Sequence, residues 1–521
     1  MLHSPWHSRP SSGIFTTMLL IYPPAAKACE PPAGIARLAG SLRGHGLACT
    51  LLDANLEGQL FLLAAPTLGP DTWSLRAGRN LQANLAALRT PELYRNHSRY
   101  RRAVADVNRV LEQTGRSHHL SLSLANYQEQ GLSPLNSADL LRAAENPEAN
   151  IFFPYFATRL PGLIEETQPA LVGISLNYLS QATTTFAMVG FLKKRYPGLP
   201  IVLGGGLVTS WLRSPDWSNP FAGLIDHCLA GPGEDPLVRL LSGAFSPHHQ
   251  TPSYAGLPLA DYLAPGLILP YAASSGCYWN RCLFCPEKAE GNPYQQIPPA
   301  TVLTDIASLK AATRPLRPTL LHFLDNAVSP PLMEALAADP PGLDWYGFAR
   351  ISPLLANGEF CHALRRSGCR LLKLGLESGE QSVLNAMNKG QDLALIEKVL
   401  HTLAQAGIAT YIYLLFGTPS ESLIEARRTL DFVVRHHSAI TFLNLAVFNM
   451  PIGSPEAPLV TRSDFYVGDL SLYTDFEHPK GWSRKEIRRF LDQEFKRHPD
   501  IARILHRDPP IFTSNHAAFF C

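Results

Sequence analysis

This 521-residue sequence predicts an α/β protein built on two parallel sheets. The first is an N-terminal Rossmann-like, doubly wound sheet with a helical insertion. The second is a (β/α)6 partial barrel followed by a small C-terminal extension. Three observations predict this. Short, uniformly apolar segments alternate with amphipathic helical stretches, the pattern of parallel strands covered on both faces. A Pro-rich stretch, 246–266, interrupts the alternation, which then resumes as six regular repeats. Hydrophobic residues make up 46% and charged residues 17%, enough apolar side chain for large cores.

The elements follow in order. "MLLIY" (18–22) reads as the first strand. Ile35, Leu38 and Leu42 then recur at helical spacing until Gly46 stops the helix. "LACTLLD" (47–53) is the second strand. "ALVGISL" (170–176), a helix through 186–198, "PIVLGGG" (200–206) and "LIDHCLAGPGE" (224–234) continue the sheet. Between its second and third strands lies an insertion at about 60–165, helical because Leu81, Leu85 and Leu88 share one face and Val104, Val107 and Leu111 another. Its His118-His119 pair reads as a solvated loop.

The domains expected are a poorly ordered leader (1–17), the Rossmann-like domain (18–245), a linker (246–266), the barrel (267–455) and the extension (456–521). Barrel strands are expected near 267–274, 319–324, 343–351, 369–378, 408–416 and 439–448. In the helix at 301–310, Leu303, Ile306 and Leu309 are expected to share the buried face. In the extension, Ser483 and Glu486 predict a capping box, with Ile487, Leu491 and Phe495 as the apolar stripe behind it. The two phenylalanines of "NHAAFFC" predict a docked terminus.

With 45 basic and 43 acidic residues the net charge is +2, which gives no electrostatic case for nucleic acid as the partner. No run of 18 apolar residues predicts a membrane span. The nine cysteines are an odd count with no secretory signal, and they point to a reducing cytoplasm.

Six of the nine stand singly. The other three, Cys277, Cys282 and Cys285 in "SSGCYWNRCLFCPE", are spaced C-x4-C-x2-C directly after the first barrel strand. In such barrels the chemistry sits at the C-terminal strand ends. Clustered thiolates bind soft metals, so zinc or iron–sulfur is the choice. A closed zinc site wants four ligands, and nothing in the spacing asks for His322 as a distant fourth. Three thiols on a four-iron cluster leave one iron open to a substrate or cofactor.

That arrangement resembles the radical S-adenosylmethionine (SAM) superfamily, in which three cysteines after the first barrel strand hold a 4Fe-4S cluster whose open iron binds SAM. The family's usual first gap is three residues. Here Tyr278, Trp279, Asn280 and Arg281 make it four, while Phe284 matches the aromatic before the third cysteine and is expected beside the adenine. The resemblance extends through "LHFLDNAVSP", "WYGFAR", "LKLGLESGEQSVLNAMNKG" and "YLLFGTPSES". It implies Asp325, Asn326, Arg350, Glu377, Ser378 and Gly417 as SAM-binding residues. "GISLNYLS", "VLGGGLVTS" and "LAGPGEDPLVRLL" are similar to the cobalamin-binding domain of one branch of the family. They imply Ser175, Asn177, Gly204, Gly205, Gly206, Gly231 and Glu234 as the lining of a cobalamin site at the strand ends. "DANLEG" (53–58) lacks the histidine of the cobalamin signature and reads as a strand-end turn.

The resemblance implies a cytoplasmic enzyme that cleaves SAM to a 5′-deoxyadenosyl radical acting on an unactivated carbon, with cobalamin-dependent methyl transfer as the first reaction class. It also implies an electron donor such as flavodoxin or ferredoxin. The substrate class stays open among small molecule, lipid and peptide. A zinc-stabilised binding module on a degenerate barrel is the alternative that the cysteines alone leave standing.

Overall fold

The computed structural model describes residues 17–215, 217–243, 248–316, 319–464, 468–509 and 516–520. The expected leader, apart from Thr17, and Cys521 lie outside the described residues. The chain divides into two compact units. The first comprises residues through Leu85, Ala105–Tyr262 and Gly468–Leu470; the second comprises Ala86–Val104, Leu263–Val467 and Ser471 onward.

In the first unit the parallel sheet contains β1 (Thr17–Tyr22), β2 (Ala48–Asp53), β3 (Leu171–Ser175), β4 (Ile201–Gly204) and the short β5 (His227–Cys228), in the order β2-β1-β3-β4-β5. Met18 to Ile21 are at most 1% exposed, as expected of a strand covered on both faces. The order reverses between β1 and β3, and a crevice for ligands opens beyond the carboxyl ends of strands at such a switch point. Helix α1 (Ala33–Gly44) follows β1, and Gly46 ends it at φ +73°. Helix α2 (Ala54–Ala64) follows β2 and is capped by Asp53, whose carboxylate accepts the Leu56 N–H at 2.9 Å. "DANLEG", expected as a strand-end turn, is instead the N-cap and first turns of this helix, because the Asp53 carboxylate satisfies its leading N–H. The Asn55 carbonyl accepts the Ala26 N–H at 2.7 Å, so the side chain in the histidine's place braces the β1–α1 loop.

The Pro-rich stretch lies along α1. Ser253 N–H donates to Ala36 O (2.9 Å) and Arg43 donates to Ser253 Oγ (2.6 Å). A Cβ on Gly40 would stand 2.2 Å from Thr251 O, so only glycine permits this approach. The Tyr262 hydroxyl closes the stretch on Asp53 at 2.7 Å. The insertion is mainly helical, with a small hairpin pairing Leu120–Leu122 and Tyr127–Glu129. Leu81, Leu85, Leu88, Val104, Val107 and Leu111 are all buried, and His118 and His119 are exposed.

In the second unit six parallel strands form the partial barrel: β6 (Ile268–Tyr271), β7 (Leu320–Phe323), β8 (Asp344–Ala349), β9 (Cys369–Glu377), β10 (Ala409–Phe416) and β11 (Phe442–Val447). Each pairs with its sequence neighbour, the pattern of successive βα units. Ile268, Leu320, Tyr346, Leu371, Tyr411 and Phe442 fill the interior in one cluster. The helix expected at 301–310 spans Pro299–Ala312, with a correction to its buried face. Val302, Asp305, Ile306 and Leu309 are buried while Leu303 is only half-buried, because the Tyr271 hydroxyl donates to Asp305 at 2.6 Å and draws a carboxylate inward.

Met450–Pro451, just before the expected extension, joins Arg462–Asp464 and Tyr473–Phe476 in a small antiparallel sheet. The capping box is present: Ser483 N–H donates to Glu486 Oε2 at 2.9 Å. The stripe of Ile487, Leu491 and Phe495 is buried, with a π-helical turn over Leu491–Phe495. Phe519 packs on Tyr100 (ring centres 4.9 Å apart) and Tyr94 (5.3 Å), docking the terminus as expected.

Candidate active site

The three-cysteine loop leaves the barrel after β6. Ser274–Ser275 pairs antiparallel with Gln295–Gln296, clamping the two ends of the loop together. Gly276 has φ +69°, and a Cβ there would lie 2.5 Å from Pro293 O, so the closure requires glycine. Cys277, Cys282 and Cys285 are all half-buried and free of disulfides. Burial pushes the Cys285 thiol up to about 11 and also raises Cys282, while Lys389 and Arg350 act in the opposite sense at Cys282.

Clustered thiolates bind soft metals. A zinc ion with bonds of about 2.3 Å holds tetrahedral sulfurs roughly 3.8 Å apart. Three soft donors on one loop fit a multi-iron cluster with one iron left open.

The segment Met387–Gly390 braces this loop. Leu283 N–H donates to Met387 O at 3.0 Å, and Asn388 Nδ2 donates to Arg281 O at 3.2 Å. Arg350 donates through one nitrogen to the carbonyls of Lys389 and Gly390, the latter at 2.7 Å. Its guanidinium carbon lies 3.7 Å from the centre of the Trp279 ring. Asn280 takes φ +43°, a left-handed conformation that asparagine tolerates better than most side chains. The four-residue gap is thus absorbed by a left-handed Asn280 and a Trp279 set against Arg350.

The structure brings several of the expected SAM-binding residues together. Glu377 ends β9 at φ +67°, beside a break in register between Gly375 and Glu377. A bulky residue held there is strained, and such strain clusters at functional sites. Its carboxylate accepts from Lys389 Nζ at 2.7 Å, and that ammonium lies 5.3 Å from the Phe284 ring centre. Phe284 itself packs against Phe448, Met450, Ala457 and Phe476 of the strand end and extension. Asp325 and Asn326 hold the base of the loop: Asp325 accepts from Ala273 N–H (3.0 Å) and the Ser274 hydroxyl, and Asn326 donates to Gly276 O (3.1 Å).

Ser378 and Gly417 also make packing contacts. Ser378 is fully buried, with its hydroxyl 3.1 Å from Thr429 Oγ1 and accepting from Glu380 N–H. Gly417 has φ +83°, and a Cβ there would lie 2.3 Å from Ile487 Cδ1, so this glycine admits the C-terminal helix.

The sequence reading missed Lys389 and Trp279 as loop partners, although both stand inside the segments it singled out. It also missed a polar group within the barrel. Lys373, 2% exposed, lies 3.3 Å from His322 Nε2, and the His322 ring stacks on Tyr346 with centres 4.3 Å apart. The signal was there: a lysine in "CRLLKLGLE" breaks an otherwise apolar buried strand.

In the first unit, the residues expected around cobalamin gather at the ends of β3, β4 and β5. Asn177 bridges two of these ends, donating to Ser175 Oγ (3.1 Å) and accepting Gly206 N–H (2.9 Å). Gly231 N–H donates to Thr209 Oγ1 (2.9 Å), and Glu234 pairs with Arg37 (2.5 Å). A Cβ on Gly231 would meet nothing within 4 Å, and one on Gly204 or Gly206 nothing nearer than 3.6 Å. These glycines form a shelf free of side chains beside Tyr178, which is 56% exposed. Gly205 is different: at φ +107° its Cβ would lie 2.4 Å from Leu176 O, so it serves the close approach of two loops.

A parallel six-stranded partial barrel with three cysteines on the loop after its first strand defines the class: residues 271–433 match the family described as the Radical SAM superfamily. The chain carries a radical SAM domain, preceded by an α/β unit with flavodoxin-like strand order. It is similar to the radical SAM methyltransferase TsrM of Kitasatospora setae, solved with cobalamin and a [4Fe-4S] cluster bound. That likeness has a TM-score of 0.51 and 16% identity, covering 86% of this chain and 78% of TsrM. It is also similar to the cobalamin-dependent SAM radical enzyme OxsB with aqua-cobalamin bound, with a TM-score of 0.53 and 14% identity, covering 85% of this chain and 57% of OxsB. Among curated proteins it is 24% identical over 198 residues to the bacteriochlorophyllide d C-12(1)-methyltransferase of Chlorobaculum tepidum. The match covers 37% of this chain and 41% of that relative's length.

Proposed function

We propose that this chain is a radical SAM enzyme that holds a 4Fe-4S cluster on Cys277, Cys282 and Cys285, and that methyl transfer to an unactivated carbon is its reaction class. The single observation behind this is a trio of free, half-buried cysteines on the loop after the first strand of a radical SAM domain. When bound, the cluster supplies the electron that cleaves SAM, and cobalamin supplies a cobalt that carries a methyl group. Flavodoxin or ferredoxin is the class of electron donor.

The chain's own residues then divide by role. Glu377 and Asn326 are the candidates to meet SAM, with Phe284 beside the cluster. Arg350 and Asp325 act through the loop as positioning residues, because their polar atoms hold backbone of the loop or of its brace. Ser378 and Gly417 serve packing. On the glycine shelf, Gly204, Gly206 and Gly231 leave the flat surface that a corrin ring needs, and Ser175 and Asn177 supply polar groups at its edge. Gly205 and Glu234 shape the loops beneath it. The name of the curated relative and the description of TsrM, both methyltransferases, support this reaction class.

Anaerobic purification tests the reading. About four irons and four sulfides per chain are expected, with 5′-deoxyadenosine or S-adenosylhomocysteine formed on reduction with SAM. A Cys282→Ala protein that kept a full cluster and still turned over SAM would overturn it. A corrin absorption band that survives desalting is expected after reconstitution with cobalamin. Its absence, with the cluster intact, removes cobalamin and leaves the radical SAM reading standing.

A further inference from the structure

A second cluster of metal-binding side chains lies on the outside of the barrel. Helix α3 (Leu393–Gln405) carries Glu397 and His401, four residues apart and so on one face. Helix α4 (Leu423–Arg435) ends at His436, whose backbone N–H donates to Phe432 O. The ligand atoms of Glu397, His401 and His436 all lie within 4.8 Å of one another. Glu397 and His401 are exposed.

His436 is the informative member. It is 3% exposed, wedged beside Phe432 with ring centres 4.5 Å apart. Neither of its ring nitrogens has a hydrogen-bond partner among the described residues. A buried imidazole normally satisfies at least one nitrogen, since leaving both unmet forfeits the solvation it gave up. The ring faces His401 edge-on, with centres 5.6 Å apart.

We propose that Glu397, His401 and His436 form a zinc site that ties α3 to the end of α4. Two imidazoles and one carboxylate are a donor set zinc accepts readily, with water in the fourth position. Burial lowers the pKa of His436, which keeps the ring in the neutral form that ligates metal. The exposed Glu397 and His401 are free to rotate toward the fixed His436. Both helices run on toward the amino ends of the next strands, β10 and β11, whereas the cysteine loop leaves the carboxyl end of β6. The zinc is therefore separate from the cluster.

The test uses full-length protein with its cluster loaded, stripped with a mild chelator, incubated with micromolar zinc sulfate and passed through gel filtration. About one zinc per chain is expected, over and above the iron. His401→Ala, at an exposed position that does not threaten folding, and His436→Phe, which keeps the packing on Phe432, should each bind zinc about tenfold or more weakly. Cys285→Ala should lose iron and keep the zinc. Cobalt in place of zinc should give the visible bands of a low-coordinate site in wild type and not in His401→Ala. No zinc on wild-type protein, equal zinc on wild type and His401→Ala, or loss of the zinc with Cys285→Ala would each overturn the proposal.

Discussion

Arg350 lies over Trp279, 3.7 Å from guanidinium carbon to ring centre, and donates to the carbonyls of Lys389 and Gly390. Through this contact a strand end, a cysteine loop and its brace become one assembly. It also accounts for the extra residue between Cys277 and Cys282, since Trp279 has a surface to lie on.

Replacing Arg350 by lysine keeps the charge and loses the planar fork that both stacks and donates. A desolvated cation–π contact is worth about 2 kcal/mol. Loss of that order should speed cluster loss to a chelator roughly thirtyfold, read as decay of the visible absorption. Trp279→Ala should do the same. An unchanged decay in both variants would show that the stack does not hold the loop.

Lys389 and Glu377 form a nearly buried ion pair, with side chains 9% and 11% exposed. Removing one partner of such a pair strands the other charge and typically costs about 3–5 kcal/mol. Lys389→Met should show that loss in denaturant unfolding, and Glu377→Gln with Lys389→Met should recover most of it. Equal stability of the single and double variants would rule out a coupled pair.

Glu421 gives a pH signature. It is fully buried, accepts Gly417 N–H through Oε2, and its Oε1 has no partner among the described residues. Burial pushes its carboxyl up to about 8, from 4.5. The folded state thus holds a proton that the unfolded chain releases. The stability it contributes is fully present below about pH 4.5, falls as pH rises, and is lost above about 8. Unfolding free energy should decline by a few kcal/mol across that window, and Glu421→Gln should flatten the decline. Parallel pH profiles for the two proteins would refute the assignment.

Ser378 separates packing from SAM contact. Because its hydroxyl is committed to Thr429 and Glu380 N–H, Ser378→Ala should cost about 1 kcal/mol of stability. SAM affinity measured by equilibrium dialysis should hold in that variant and fall in Glu377→Gln. The reverse order would return Ser378 to the SAM site.

Both sheets were legible in the sequence because buried parallel strands are written as apolar runs, and "MLLIY" or "LVGIS" admits few other readings. The cysteine loop was legible because three thiols in nine residues need a common purpose. What escaped were the partners made by tertiary approach. Lys389 and Trp279 lie more than a hundred residues apart, and no local pattern says that one's neighbour will meet the other. The inward turn of Asp305 escaped for the same reason: helical spacing favoured Leu303, and the Tyr271 hydroxyl that reverses the choice comes from another element. The packing contacts of Ser378 with Thr429 and of Gly417 with Ile487 were likewise invisible, because each partner comes from a distant element.

Phe284, one residue before Cys285, is seated among Phe448, Met450, Ala457 and Phe476, and the hydroxyl of Ser454 reaches Leu283 O at 3.4 Å. The wall around the cysteines is thus completed by chain that comes after the last barrel strand. Anyone trimming this protein to a minimal cluster-bearing fragment, or grafting another enzyme's tail onto its barrel, would have to cut beyond Phe476. A cut at residue 455 would strip Ala457 and Phe476 from the aromatic beside Cys285.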